Sequence, residues 1–224
     1  RIPCLVISRS LAPTREMIEI LEGAGVPLFR TPLSSKAFTT EVTVLLEERF
    51  APRSSLHGTL LEIRGVGTLI RGASGAGKSE AALALIERGH SLVADDLVKV
   101  KLLSDHTPIG FCDPLSRGFM ECRGIGIINV EKLFGNRFVR LEKRIDLVIT
   151  LIQETLESEP ERTGLDRKYY DILGFSVPHM EIPIRTGRDM ARLIEVAAMV
   201  QAARQFGYDS ADDLNEKLLH KMNH

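Results

Sequence analysis

The sequence predicts an α/β protein in which a P-loop domain follows a small α/β unit and ends in helices. Three observations carry this. Apolar runs of strand length alternate with helically spaced segments from residue 3 onward. "RGASGAGKSE" (71–80) fits G-x-x-x-x-G-K-[ST] through Gly72, Gly77, Lys78 and Ser79, with a strand signal before it and a helix signal after it. "APRSS" (51–55) breaks the alternation with a proline and serines, which divides the chain into a partial N-terminal unit, 1–52, and a larger unit, 53–224. The opening Arg1, in place of methionine, fits a chain cut from something longer.

In order, "CLVIS" is a short strand, and "PTREMIEILEGAG" is a helix with Met17, Ile18 and Leu21 on one face, stopped by Gly23 and Gly25. "VPLFRT" is a second strand and "TTEVTVLLEERF" ends a second helix. Beyond the boundary, "LHGTLLEI" and "TLIRG" form two strands around the turn "RGVG". Taking Gly65 and Val66 as the central turn residues sets His57 opposite Ser74.

"KSEAALALIER" is a helix ended by Gly89, "SLVADD" a strand delivering Asp95 and Asp96, and "LVKVKLL" a further alternating strand. "GIGIINV" and "RIDLVITLI" carry strand signals, whereas Tyr169 and Tyr170, flanked by Gly164 and Gly174, mark a loop-rich segment. Two helices close the chain. One runs from Asp189 to Phe206 with Leu193, Val196, Ala197 and Val200 as its apolar stripe, and the other covers "SADDLNEKLLHKM", with Ser210 and Asp213 set like a capping box.

Composition gives several classes no support. Apolar content of 44% and charge of 26% are those of a folded globular chain, and no apolar run approaches the ~18 residues that cross a bilayer. A net charge of −1 gives no field favouring nucleic acid, and the basic stretch Arg137 to Arg144 reads as a solvated face. Cys4, Cys112 and Cys122 have neither disulfide nor zinc spacing, which fits a reducing cytoplasm.

The chemistry gathers at the glycine loop. Residues Gly72, Ala73, Ser74, Gly75, Ala76, Gly77, Lys78 and Ser79 make a nucleotide or pyrophosphate cradle: backbone amides curl round phosphates, Lys78 neutralises charge and Ser79 ligates Mg²⁺. Asp95 and Asp96 end a strand soon after the loop's helix, where a carboxylate holds the metal or takes a proton. His57 and Glu121 are ambiguous alone; the inferred register brings His57 to the loop, and Glu121 with Arg123 frames the glycines Gly124 and Gly126.

Taken together, "HG" at 57, "GASGAGKSE" at 72–80, "GHSLVADD" at 89–96, "MECRGIGIIN" at 120–129, the arginine before "TGLD" and "IPIRTGRD" at 182–189 closely resemble the bacterial HPr kinase/phosphorylase family. The resemblance covers residues 1 to about 205. It implies an enzyme that phosphorylates a regulatory serine of the phosphocarrier HPr with ATP or pyrophosphate. It also implies removal of that phosphate by attack of inorganic phosphate, yielding pyrophosphate. A cytoplasmic homohexamer follows from the same resemblance, as does a catalytic domain like phosphoenolpyruvate carboxykinase, with neither membrane nor nucleic acid as partner.

Carried over by position, His57, Lys78, Asp96 and Arg162 match the family's catalytic residues, and Ser79 and Glu121 its magnesium ligands. "MECRGIGIIN" serves both directions, and "PIRTGR" (183–188) chiefly dephosphorylation. Asp95 and Asp96 are inseparable on physical grounds; position favours Asp96 for the proton. Cys122, Ala73 and Asp189 depart from the usual pattern, and Asp189 sets a negative charge beside the phosphorolysis segment. The rival readings are a P-loop small-molecule kinase or carboxykinase-like enzyme, and a nucleotide-dependent switch that hydrolyses ATP slowly.

Overall fold

The computed structural model describes residues 2–153, 166–185 and 187–222, and the chain divides into two compact units, Arg1–Ala51 and Pro52–His224. In the first, strands β1 (Leu5–Ile7) and β2 (Leu28–Arg30) pair in parallel, which requires the crossover supplied by helix α1 (Arg15–Ala24). Thr14 caps α1 by accepting the Met17 N–H, and Gly25, at φ 64°, ends it. Helix α2 (Ser35–Phe50) follows, capped by Ser34.

The second unit is built as three layers. Its elements are β3 (Arg53–His57), β4 (Thr59–Ile63), β5 (Val66–Gly72), α3 (Lys78–Glu87), β6 (Ser91–Ala94), β7 (Leu97–Leu102), β8 (Pro108–Phe111), β9 (Phe119–Cys122) and β10 (Gly126–Asn129). After these come α4 (Val130–Phe134), a 3₁₀ turn, β11 (Glu142–Arg144), β12 (Leu147–Gln153), β13 (Lys168–Ile172), β14 (Phe175–Ile184), α5 (Met190–Gln205) and α6 (Ser210–Met222). A six-stranded sheet in the order β13-β14-β12-β5-β4-β6 forms the middle layer, a four-stranded sheet β11-β8-β7-β3 one outer layer, and helices the other.

Period-two alternation in the central strands explains the layering. Leu61, Ile63, Ile70, Ile149 and Leu151 point one way and pack on Ala82, Leu85 and Ile86 of α3 and on Ile194 and Ala198 of α5. Leu60, Leu69 and Val148 point the other way, onto Val98 and Val100 of β7 and Ile145. Each fully buried leucine or isoleucine contributes ~1.5–3 kcal/mol, so both faces of the central strands stabilise the sheet that carries the loop.

Strands β12 and β14 run parallel to β5, and β6, antiparallel to β4, points the same way. The glycine loop and Asp95–Asp96 therefore leave the sheet at one edge. Ligands of α/β sheets bind at such carboxyl ends.

Several sequence expectations change. The turn after β4 centres on Arg64 and Gly65, at φ 50° and 84°, and the register is Thr59↔Ile70 through Ile63↔Val66. His57 is not opposite Ser74: Gly58 breaks the run, and β3 leaves for the outer sheet, where His57 pairs with Leu97. Tyr169 and Tyr170 are in strand β13, antiparallel to the ten-residue β14 across a turn at Leu173 and Gly174.

The buried face of α5 is Ala191, Ile194, Ala197, Ala198 and Gln201, whereas Val196 is exposed. Asp209, one residue ahead of α6, rather than Ser210, accepts the Ala211 N–H. In the basic stretch, Arg140 and Lys143 pair with Glu62 and Arg144 with Asp146. Among the described residues no helix is long and apolar enough to cross a membrane.

Candidate active site

The start of α3 sets the site's electrostatics. Side chains of Thr14, Ser34, Asn129 and Asp189 accept amide hydrogens at the starts of α1, α2, α4 and α5. Helix α3 instead starts from Gly77, at φ 81°, with no side-chain cap, so its first amides face outward with the positive end of the helix dipole. An anion is the ligand that such an end accepts. The Lys78 ammonium donates to the carbonyls of Gly72 and Ala73 at 3.0 Å each, inside the curl of the loop. Ser79 is half-buried in the helix's first turn.

Arg123 covers the loop from above. It stands in the turn between the paired strands β9 and β10, and its Nη2 donates to Ser74 Oγ at 3.2 Å. A Cβ on Gly75 would meet Arg123 Nη1 at 3.2 Å, so glycine there leaves room for the guanidinium. The sequence placed Arg123 beside Glu121 but gave it no contact with the loop.

The two aspartates differ sharply. Asp95 is half-buried: its Oδ1 accepts the Thr59 hydroxyl at 2.7 Å and its Oδ2 the Glu121 N–H at 3.2 Å. Burial pushes its carboxyl above the ordinary aspartate range, against these bonds, and the neighbouring Asp96 charge pushes the same way. Asp96 is exposed and takes a left-handed backbone conformation, φ 63°, that aspartate tolerates better than most residues. The pairing of β4 with β6 is irregular between Leu60 and Leu61, and such bulges re-aim the residues that follow.

His57 reaches this edge from the other sheet. The Gly58 N–H donates to the Asp96 carbonyl at 3.0 Å, and Arg71 Nε to the His57 carbonyl at 3.3 Å. His57, Asp96 and the loop thus share one corner, although His57 comes from a different strand pairing than the sequence suggested. Glu121 is exposed on β9, next to Cys122, a buried residue that the charges of Asp95 and Glu80 both reach. Arg162 lies outside the described residues, as does Thr186 of the 183–188 segment.

Asp189 is not a loose charge. Its carboxylate caps α5 by accepting the Arg192 N–H at 2.9 Å and pairs with Arg88 at 2.7 Å. Those contacts, the amide first and Arg88 second, hold it below the ordinary aspartate range.

For Mg²⁺, the hard oxygens of Ser79 and Glu121 suit the ion. Among the described residues no cluster of three or more histidine, cysteine or carboxylate groups forms a metal site. That donor set fits an ion held by one carboxylate and the substrate's phosphates rather than by an all-protein cage.

Comparison with known proteins places the chain in a family. The family description "HPr Serine kinase N terminus" matches residues 1–46 and "HPr Serine kinase C-terminal domain" residues 48–218. The HPr kinase/phosphorylase of Leptospira biflexa serovar Patoc is 43% identical over 217 residues, covering 96% of this chain and 67% of its own length. That of Caldicellulosiruptor bescii is 43% identical over 221 residues, covering 99% and 71%. The solved Hpr(Ser) kinase/phosphatase from Coxiella burnetii superposes with a TM-score of 0.63 at 37% identity, over 73% of this chain and 99% of the other. With the two family descriptions matching residues 48–218 and 1–46 and relatives this similar, the chain belongs to the HPr serine kinase family.

Proposed function

We propose that the protein is a bifunctional serine kinase/phosphorylase of the phosphocarrier HPr. It transfers the terminal phosphoryl group of ATP or pyrophosphate to a serine, and it removes that group by phosphorolysis. The observation that carries this is the meeting, at one sheet edge, of an uncapped phosphate loop with an exposed carboxylate, Asp96. Family membership supplies the acceptor. In this reading the catalytic unit is carboxykinase-like, and the protein works as a cytoplasmic homohexamer.

In the forward direction the serine hydroxyl gives its proton to Asp96 as its oxygen bonds to the terminal phosphorus and the bond to the leaving phosphate breaks. The α3 amides and Lys78 hold the donor's phosphates, and Lys78 leaves the Gly72 and Ala73 carbonyls to do so. Arg123, over the loop, adds a second cation. In reverse, inorganic phosphate attacks the phosphoserine phosphorus. Protonated Asp96 returns its proton to the serine oxygen, and pyrophosphate leaves.

Asp96 suits the proton because it is open to the acceptor, whereas both oxygens of Asp95 are engaged. His57 and Arg162 complete the catalytic set by position in the family. Ser79 and Glu121 would hold Mg²⁺, which supplies charge neutralisation on the transferring phosphates when bound.

The test is incubation with phosphoserine-HPr and inorganic phosphate, assayed for pyrophosphate, beside HPr with labelled ATP. Both products are expected. Kinase activity without pyrophosphate would remove the phosphorolytic half, and an unlabelled HPr would favour a metabolite kinase.

A further inference from the structure

Arg71 precedes the glycine loop by one residue and falls outside every motif discussed so far. At the end of β5, beside the gap between the two sheets, it is half-buried. Its guanidinium carbon lies 4.6 Å from the centroid of the Tyr170 ring, a cation–π distance, and its Nε donates to the His57 carbonyl at 3.3 Å. Tyr170 is fixed in turn: His179 meets its ring edge-on at 5.8 Å, and His179 Nε2 shares a 2.8 Å hydrogen bond with Thr150 Oγ1. Thr150 pairs with Arg71 across β12 and β5. The contacts thus close a loop, from β5 through β12, β14 and β13 back to Arg71.

This ring of contacts is anchored in the six-stranded sheet and ends on a residue of the four-stranded one. Gly58, which follows His57, has no room to shift inward, because a Cβ there would lie 2.5 Å from the Ile70 carbonyl and 3.3 Å from Arg71 Cγ. Through this one Nε–H bond Arg71 therefore holds the corner at the point where β3 leaves for the other sheet.

We infer that Arg71 is a positioning residue: stacked on Tyr170, it holds the His57 main chain and so sets where the imidazole stands relative to the phosphate loop. The proposal rests on the reading of the site given above. It needs the planar, charged fork, since an ammonium has no Nε–H in that geometry and stacks poorly. Displacement of a reacting group by about 1 Å costs up to ~10²-fold in rate.

The experiment uses the full chain, HPr and ATP in a double-mutant cycle. Arg71→Ala is expected to lower kcat for serine phosphorylation by roughly 10- to 100-fold with the KM for ATP unchanged, Tyr170→Leu to act in the same sense, and Arg71→Lys not to rescue. In a His57→Ala background, Arg71→Ala is expected to cost nothing further. Additive losses, a loss confined to the KM for ATP, or rescue by lysine would overturn the proposal.

If the wild-type protein does not label HPr, the functional reading fails and a second readout decides the positioning claim. The Cε1–H resonance of His57, assigned with His57→Ala, shifts in Arg71→Ala if the guanidinium fixes the corner and stays in place if it does not. Should Arg71→Ala fail to fold, Tyr170→Leu carries both measurements.

Discussion

Thr59 donates its hydroxyl hydrogen to Asp95 Oδ1 at 2.7 Å, and this bond, with the Glu121 N–H on Oδ2, gives two adjacent aspartates different surroundings. The fold needs Thr59 at the edge because β4 opens there, and it buries this polar residue because Asp95 satisfies it.

Thr59→Val keeps the shape and removes the donor. The bond favours the ionised carboxylate, so its loss raises a pKa that burial has already raised. A carboxyl whose folded pKa exceeds its unfolded value destabilises the native state as pH rises through the window between them, and the variant extends that window upward. The expected outcome is a loss of ~1–3 kcal/mol near neutral pH that shrinks as the solution is acidified. Urea denaturation at several pH values measures it.

Asp96→Asn separates chemistry from fold. Asparagine accepts the left-handed conformation that Asp96 holds, and the Asp96 carbonyl still receives the Gly58 N–H. The melting temperature is expected to stay unchanged while serine phosphorylation and pyrophosphate formation both fall by ~10²–10⁴-fold. Parallel loss in the two directions is the diagnostic, since in the proposed mechanism one group acts as base and as acid; a switch module would keep its partner binding.

Lys78→Met tests the cradle. The ammonium is the cation inside the loop's curl, and methionine keeps most of the unbranched side chain without its charge. Transfer is expected to fall ~10²–10³-fold in both directions. Radiolabel transfer under saturating ATP measures it.

The parts of the site that lie on one continuous segment were legible in the sequence. The loop with its helix, the strand ending in Asp95 and Asp96, and the run around Glu121 each carry a local signal for the element that the structure shows. What was hidden depends on pairing between distant segments. The His57 register failed because Gly58 allows the chain to change sheets, and a hairpin alternation looks the same on either side of such a break.

Strand β14 was missed because Pro178 and Pro183 lie within it, and proline argues against a strand. Thr59 and Arg71 carry no motif at all. Their contacts follow from register, through Leu60↔Ala94 and Thr150↔Arg71.

Asp189, the charge beside the phosphorolysis segment, is engaged by a main-chain amide and by Arg88. Asp189→Asn retains the helix cap, because asparagine caps as well as aspartate, and loses only the charge on Arg88. A carboxylate held below its ordinary pKa contributes stability above the unfolded value, and that contribution is lost as pH falls through the folded one. Asp189→Asn is therefore expected to melt slightly below wild type at neutral pH and to coincide with it in acid. The ratio of pyrophosphate formation to kinase activity is expected to hold.

Gly67 sets the most stringent packing condition on the strand that feeds the loop. Its N–H donates to Asp146 Oδ2 at 2.8 Å, and Asp146, itself buried, is also gripped by Arg144 and by Gln205 from α5. A Cβ at Gly67 would stand 1.7 Å from the Arg144 carbonyl oxygen, which is main chain and cannot rotate away. Gly67→Ala must therefore push β5 off β11 or break the Asp146 bond, at a cost of about 1–3 kcal/mol or more. Gly23→Ala, in α1 with open space around it, is the contrasting case, expected to stabilise its own unit by ~0.5–1 kcal/mol. Because β5 ends in the glycine loop, the proposed phosphate cradle, any Gly67→Ala protein that folds is expected to bind ATP more weakly as well, which equilibrium dialysis beside chemical denaturation would measure; unchanged stability would show that the main chain at Arg144 yields.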